Sequence, residues 1–308
     1  MAPQDVIKQS GAEILRLWVS MVDYRYDMNI SKEALTRTIE AYRKIRNVIR
    51  VLLANLYDFD PKQDAVPKAR LLEIDRWALA RYADAAERII KAYDDYDYPA
   101  IFQAANQLIT VDLSAFYVDV TKDRMYTFGT KSEARRSGQT AMFLIVDGLA
   151  RLLAPVLSVT MDELWRALPG PREESVHMAL FPRDLDQWKD AALLERFFAL
   201  TAYRNDVNLQ LEAKRKEKVI TSNLSAKVRV TADGDNAMWL TQYQDFLPTL
   251  FGVSEVELAS GPFAASVEPA TGVKCERCWR FVPEVSKDGD REGLCPRCVE
   301  ALAEPVSL

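Results

Sequence analysis

The segment that decides the fold runs from Glu33 to Tyr57 and reads EALTRTIEAYRKIRNVIRVLLANLY. Ser31 is placed to cap a helix here, and Glu33 adds a negative charge in the first turn, where it suits the helix dipole. The sequence Asp58-Phe59-Asp60-Pro61 then ends the pattern. Within the segment, large apolar side chains recur every three or four residues and form one stripe of an amphipathic helix: Ile39, Tyr42, Ile45, Ile49, Leu52 and Leu56.

Similar patterns on both sides of this segment predict further helices that are joined by short breaks. The last of them carries Thr160 and Glu163 in the spacing of a capping box. Long amphipathic helices with short links are typical of an antiparallel bundle. We therefore expect a mainly α protein, with a junction segment over residues 1–30 and a helical bundle over 31–184. The predicted helices cover residues 5–19, 70–93, 99–126, 132–157 and 160–168.

After Pro182 the succession of similar amphipathic helices ends, and the sequence predicts both a helix and strands. One long amphipathic helix is predicted over Asp190–Lys218. Alternating apolar and polar residues then predict strands over Ala226–Thr231 and Val253–Leu258. The stretch Gly261–Thr271 is rich in Gly, Pro and Ala, which predicts a linker. We assign residues 185–266 to the long helix with a small α/β element, and residues 267–308 to a cysteine module.

All four cysteines of the chain lie in two CxxC pairs with 16 residues between them. Two such turns supply four thiolates in the tetrahedral arrangement that Zn²⁺ prefers. A redox dithiol or two unrelated pairs are the alternatives, but the strand–helix context of a thioredoxin site is missing. Because four sulfur ligands leave no open position on the metal, the zinc is expected to be structural. The module is expected to be zinc-ribbon-like. Its ligands are Cys275, Cys278, Cys295 and Cys298.

Cationic residues and one tryptophan surround these cysteines: Lys274, Arg277, Arg280, Arg297 and Trp279. The cations either offset the negative charge of a tetrathiolate zinc centre or bind RNA phosphates. Trp279 either stacks on a base or forms the small core of the module. The sequence alone leaves both alternatives open.

Two helices carry basic faces. Arg43, Arg46 and Arg50 share one side of the helix over Glu33–Tyr57, with Lys44 nearby. The long helix ends in a basic turn that includes Lys214 and Arg215. Such faces are either solvated surfaces or phosphate contacts, which provide affinity without reading sequence.

The composition excludes several classes of protein. Of the 308 residues, 49% are hydrophobic, and the net charge of −5 disfavours nonspecific DNA binding. No apolar run is long enough for a membrane helix, and no signal peptide is visible. We find no P-loop, no GxSxG and no Gly-rich dinucleotide loop, so no catalytic residues are predicted. Clustered cysteines without a signal peptide indicate a reducing compartment, and we expect a cytoplasmic protein.

Several motifs resemble class I aminoacyl-tRNA synthetases. The terminal residues 274–279 (KCERCW) with 295–298 (CPRC) are similar to the carboxy-terminal zinc module of bacterial isoleucyl-tRNA synthetases. Motifs in the helical region resemble the anticodon-binding domain of the valine, leucine and isoleucine enzymes: residues 41–47 (AYRKIRN), 55–59 (NLYDF), 74–77 (IDRW), 116–119 (FYVD), 122–124 (KDR), 153–155 (LAP), 163–165 (ELW) and 175–177 (SVH).

This resemblance implies a carboxy-terminal, tRNA-binding portion of such an enzyme. The HIGH and KMSKS motifs of the family, its nucleotide-binding fold and its editing domain are absent from the sequence. ATP and Mg²⁺ are therefore implied only for a full-length enzyme, and the catalytic part for a missing amino-terminal region or a separate chain. The implied partner is tRNA-Ile, and the implied contacts are Arg43, Lys44, Arg46, Arg50, Lys214, Arg215, Trp279 and Arg280.

A second function remains open at this point. The chain could be a stand-alone zinc-ribbon adaptor that binds RNA or protein, since the zinc module alone is compatible with both.

Overall fold

The computed structural model of the protein describes residues 2–303 and is mainly helical. Its α-helices are α1 (Pro3–Ser10), α2 (Ala12–Met21), α3 (Lys32–Ala54), α4 (Glu73–Asp94), α5 (Tyr98–Asn106), α6 (Asp119–Thr127), α7 (Glu133–Leu153), α8 (Ser158–Ala167), α9 (Ala191–Lys216), α10 (Gly234–Thr241), α11 (Leu247–Phe251) and α12 (Pro296–Ala303). The strands are β1 (Ala226–Ala232), β2 (Glu255–Ser260), β3 (Ala264–Pro269), β4 (Val273–Lys274) and β5 (Phe281–Val282). No helix in the described part combines the length and apolar character that crossing a bilayer requires.

The chain divides into two compact units, and each is discontinuous in sequence. The first unit comprises Met1–Val118 and Arg136–Leu194. The second comprises Asp119–Arg135 and Glu195–Leu308. A short segment from the middle of the chain therefore belongs to the same unit as the cysteine module.

The apolar stripe of α3 is buried in the first unit, as its spacing predicts. Ile45, Ile49 and Leu52 are at most 4% exposed. The hydroxyl of Ser31 accepts a hydrogen bond from the backbone N–H of Ala34 at 3.1 Å, which confirms the predicted cap. Because apolar burial is the main favourable term in folding, this stripe fixes which side of α3 faces solvent.

A buried carboxylate joins three helical segments of the first unit. Asp75 of α4 is completely buried, and its two oxygens accept hydrogen bonds from Tyr117 at 2.6 Å and Ser137 at 2.5 Å. The Ser137 hydroxyl also accepts from the backbone N–H of Leu72 at 2.9 Å. Charge-assisted hydrogen bonds are stronger than neutral ones, and they replace the solvation that burial removes.

A three-stranded sheet forms the centre of the small α/β element in the second unit. The strand order is β2-β1-β3, with β1 parallel to β2 and antiparallel to β3. Val228 and Val230 of β1 are buried on one face, whereas Lys227 lies on the other and pairs with Glu257 at 2.8 Å. This alternation confirms the predicted β1 and the predicted small α/β element.

Arg204 of α9 ties three helices of this unit together. Its guanidinium donates to the Asp119 carboxylate of α6 at 2.5 Å and to the Leu250 carbonyl of α11 at 2.9 Å. The Arg204 side chain is only 11% exposed, whereas its Asp119 partner is 43% exposed, so the ion pair lies at the edge of the buried region.

Two predicted helices are interrupted. The helix expected over residues 5–19 is broken at Gly11, whose φ of 88° lies in a region that disfavours other residues. The helix expected over 99–126 consists of α5, a π-helical segment over Gln107–Val118, and α6.

Two further local predictions are wrong. Thr160 does not cap α8, because that helix begins at Ser158. The Thr160 hydroxyl instead pairs with Tyr42 at 2.9 Å, and its backbone N–H donates to Glu13 at 3.2 Å. The stretch 261–271 is not a plain linker, because β3 lies within it and pairs with β1.

Replacing Asp75 by Asn is expected to lower the free energy of unfolding by about 2 kcal/mol, since the amide keeps one acceptor for two hydroxyl donors. Thermal and urea unfolding measure the change. The matched control is Asp84→Asn on the same helix, where the side chain is 32% exposed and lies 4.0 Å from Arg81. Equal stability of the two variants would show that the buried carboxylate is not required.

Candidate metal centre and nucleic-acid interface

The four cysteines meet at one point in the second unit. Cys275 and Cys278 lie on the turn between β4 and β5, and Cys295 and Cys298 lie at the start of α12. The turn is closed by a hydrogen bond from the Cys275 N–H to the Arg280 carbonyl at 2.9 Å. All four side chains are buried, and their sulfur atoms lie within 4.8 Å of one another.

This arrangement fits a tetrahedral zinc ion. Zn–S bonds of about 2.3 Å in a tetrahedron give sulfur–sulfur separations of about 3.8 Å. The Cys278 and Cys295 sulfurs are 3.8 Å apart, and all four cysteines are free of disulfides. Among residues 2–303, Val282 and Leu294 are the partly buried apolar residues that pack against the cluster. The donors therefore suit a structural zinc, whose binding supplies folding free energy.

The Cys275 thiol is prepared for metal binding by its surroundings. Burial raises its pKa, but backbone N–H groups of the two CxxC turns outweigh this effect and lower the pKa to about 6. One of these donors is the N–H of Cys295, 3.3 Å from the sulfur. Hydrogen bonds to a thiolate favour the charged form, which is the form that binds a metal.

Three arginines of the module contact the segment formed by α6 and the residues after it. Arg297 donates two hydrogen bonds to the Asp123 carboxylate, at 2.7 and 3.0 Å, and Arg280 donates a third at 3.2 Å. Arg277 donates to the carbonyl of Thr127 and lies 3.6 Å from the Cys298 sulfur. We call Asp123 and these three arginines the arginine clamp.

The net positive charge of the arginine clamp is opposite in sign to the charge of a tetrathiolate zinc centre. Burial raises the pKa of Asp123, but the hydrogen bond from Arg297 and the charge of Arg280 outweigh it, so the net pKa is lowered. Three guanidinium groups and one carboxylate leave a formal charge of +2, which opposes the −2 of a tetrathiolate zinc centre. The clamp thus offsets the charge of the centre and also holds the module against α6.

Trp279 lies at the tip of the first CxxC turn. Its side chain is 61% exposed, so it does not form the core of the module. Its backbone φ of 63° is unusual for a residue with a side chain. The ammonium of Lys274 lies 5.6 Å from the ring centroid. One face of an aromatic ring beside a cation is therefore presented to solvent.

The other predicted contact residues differ in how they are held. Arg43, Lys44, Arg46 and Arg50 are all exposed on α3. At the end of α9, Lys214 pairs with Glu217 at 2.7 Å and Arg215 pairs with Glu212 at 2.5 Å. Arg280 is 13% exposed and also donates to the Val253 carbonyl at 2.9 Å. A tRNA contact by any of these residues stays a prediction.

Asp123 is a functional residue that no sequence pattern predicts. It lies 157 and 174 positions before its two arginine partners, so no local pattern connects them. The density of arginines around the cysteines was the available signal, because partly shielded guanidinium groups are commonly paired with a carboxylate.

Two family models match the chain. One is described as the anticodon-binding domain of tRNA ligase and matches residues 75–230, about half of the chain. The other is described as a zinc finger found in FPG and IleRS and matches residues 272–301. The second match coincides with the four-cysteine cluster and supports a structural zinc.

Similar curated proteins are isoleucine–tRNA ligases. The protein of Syntrophotalea carbinolica is 48% identical over 99% of this chain, and that of Geobacter sulfurreducens is 44% identical over 98%. In both comparisons the match covers 34% of the relative, so the chain spans about a third of the length of these relatives. A solved LeuRS–tRNA complex from Agrobacterium radiobacter aligns with 84% of this chain and 29% of that one at 11% identity and a TM-score of 0.45.

The purified chain is expected to contain one zinc ion, because four converging thiolates leave one tetrahedral site. Elemental analysis measures the zinc content. After chelation, hydrogen exchange should rise mainly in residues 272–300, since the helical bundle has its own buried core. Purification without chelator that gives no zinc and four freely titrating thiols would contradict this prediction.

Replacing Asp123 by Asn is expected to speed the loss of zinc to a chelator and to destabilise the module by about 2 kcal/mol, because two guanidinium groups lose their charged partner. Zinc release can be followed with a colorimetric chelator. Asp288→Asn, on an exposed turn of the same module, serves as the control. Equal release rates in both variants would show that the arginine clamp does not support the metal centre.

Proposed function

We infer the function from one established premise, that the chain belongs to the anticodon-binding domain family of tRNA ligases. We propose that it binds the anticodon arm of tRNA-Ile as the carboxy-terminal portion of an isoleucine–tRNA ligase. The observation that carries this proposal is the 48% identity with such a ligase over 99% of the chain.

In this proposal the chain positions tRNA and performs no chemistry itself. Attachment of isoleucine, with ATP and Mg²⁺, belongs to a catalytic part that the chain does not contain. Neither of the family's ATP-binding signatures occurs in the 308 residues of the sequence. We place this activity in the cytoplasm, where aminoacylated tRNA is used.

The exposed basic face of α3 is the proposed phosphate-binding surface. Arg43, Arg46 and Arg50 are exposed, whereas Ile45 and Ile49 of the same helix are buried. The core therefore fixes this helix with its guanidinium groups toward solvent. Guanidinium groups bind phosphate oxygens in pairs of hydrogen bonds, which gives affinity for any RNA backbone.

The zinc module is the proposed base-contacting surface. Trp279 has a largely exposed ring, and Lys274 lies close enough to bind an adjacent phosphate. Unpaired bases of RNA loops are commonly bound by stacking on aromatic side chains. Lys44 is an exposed further contact in this proposal, whereas Lys214, Arg215 and Arg280 are proposed contacts that already pair with carboxylates of the chain.

A stand-alone zinc-ribbon adaptor is the alternative, because the zinc finger model is described for FPG as well as for IleRS. Affinity for tRNA-Ile compared with other tRNAs distinguishes the two functions. A ligase portion should prefer tRNA-Ile, whereas an adaptor should bind all tRNAs alike or none.

Replacing Arg46 by Gln is expected to weaken binding of all tRNAs and to lower the slope of log affinity against log salt by about one unit, as loss of one phosphate contact predicts. Filter binding at several salt concentrations measures both effects. Arg166→Gln, an exposed arginine on α8 that pairs with Asp162 at 2.7 Å, is the control. An unchanged slope in Arg46→Gln would remove α3 from the proposed interface.

Replacing Trp279 by Ala is expected to weaken tRNA-Ile binding by about 1–3 kcal/mol and to reduce the preference over other tRNAs, because a stacked base loses its platform. Zinc content must be measured on the same preparation. If zinc is retained and affinity is unaltered, Trp279 has no part in recognition. If zinc is lost together with affinity, the residue acts through the fold of the module.

A further inference from the structure

A groove in the second unit lies outside both surfaces proposed for tRNA. It has a volume of about 370 Å³ and lies between α9, α10 and the turn after β2. We call it the aromatic groove, after three of its lining side chains. It is lined by Ala199, Ala202, Tyr203, Asp206, Asn236, Trp239 and Phe263.

The three rings form a continuous aromatic wall. The Tyr203 and Trp239 centroids are 6.0 Å apart, and those of Tyr203 and Phe263 are 5.2 Å apart in an edge-to-face arrangement. Phe263 remains 47% exposed, and the neighbouring Met238 is 71% exposed. The wall is therefore held in place by mutual packing while part of its surface stays in contact with water.

The groove is acidic. Among the described residues that line it, Asp206 is the one charged residue, and none is Lys or Arg. Residues 231–252 contain three Asp and no Lys or Arg. The burial of Tyr203 and the charge of Asp233 both raise the pKa of the Tyr203 hydroxyl. A phosphate backbone would be repelled here, whereas a cation would be attracted.

Three aromatic rings elsewhere in the chain lie beside a cation of the same chain. Lys68 lies 5.8 Å from the Trp188 ring, Arg172 lies 4.7 Å from Trp165, and Arg297 lies 5.0 Å from Phe128. Within residues 2–303, no Lys or Arg is placed over Tyr203, Trp239 or Phe263. The partly exposed surfaces of these three rings therefore carry no cation from the described part of this chain.

We propose that the aromatic groove binds an arginine side chain from a basic segment of a partner polypeptide. A guanidinium stacks on aromatic faces and at the same time donates two parallel hydrogen bonds to a carboxylate. Trp239 and Tyr203 supply the faces, and the exposed Asp206 supplies the carboxylate. The apolar flank formed by Met238 suits the aliphatic residues of the same segment.

The test uses the full zinc-loaded chain labelled with ¹⁵N-tryptophan. The probe is an acetylated, amidated peptide of alternating Arg and Ala, and the matched probe has citrulline in place of Arg, which keeps the shape and removes the charge. Titrations at 0.15 M salt follow the indole N–H signals by nuclear magnetic resonance. The variants are Trp239→Leu and the conservative Asp206→Asn, and the control variant is Trp188→Leu, whose ring already lies beside Lys68.

The arginine peptide is expected to shift the Trp239 signal, and the citrulline peptide is not. Trp239→Leu should weaken binding, followed by calorimetry, about 5- to 30-fold. Asp206→Asn should weaken it about 2- to 5-fold, and Trp188→Leu should leave it unchanged. Equal binding of both peptides, equal affinity in Trp239→Leu and the control, or a Trp239 shift with oligouridylate in place of the peptide would each overturn the proposal.

Discussion

The cysteine module depends on the convergence of four thiolates on one point. Apart from the sulfur atoms, few apolar side chains of the module are buried, so it has no hydrophobic core comparable to that of the first unit. Thiolates held this close repel one another unless a cation lies between them. A bound metal would fix the four sulfur positions of both CxxC turns and so stabilise the turn on which the exposed Trp279 lies.

The cations of the chain perform two different tasks. Those of the arginine clamp are shielded and paired: Arg280 and Arg297 bind Asp123, and Arg277 binds the Thr127 carbonyl. They hold the module against α6 and offset the charge of the metal centre. The cations on α3 are exposed above a buried apolar stripe. This difference explains how a chain with a net charge of −5 can present a local basic surface.

The features that the sequence could predict are those with a local signature. The stripe of α3, its Ser31 cap and the two CxxC pairs each follow from residues close together in the chain. Strand β3 was missed because its small residues, such as Ala264 and Ala265, resemble those of a linker, and pairing with β1 decides its structure. Asp123 was missed because its partners lie more than 150 positions away. Nothing in the sequence marks the π-helical segment.

The most direct test of the metal centre is X-ray absorption spectroscopy at the zinc edge on the purified, zinc-loaded chain. The structure predicts a single shell of four sulfur atoms at about 2.3 Å from the zinc. A shell that contains nitrogen or oxygen ligands, or fewer than four sulfurs, would contradict the account. It would mean that at least one of Cys275, Cys278, Cys295 and Cys298 does not bind the metal.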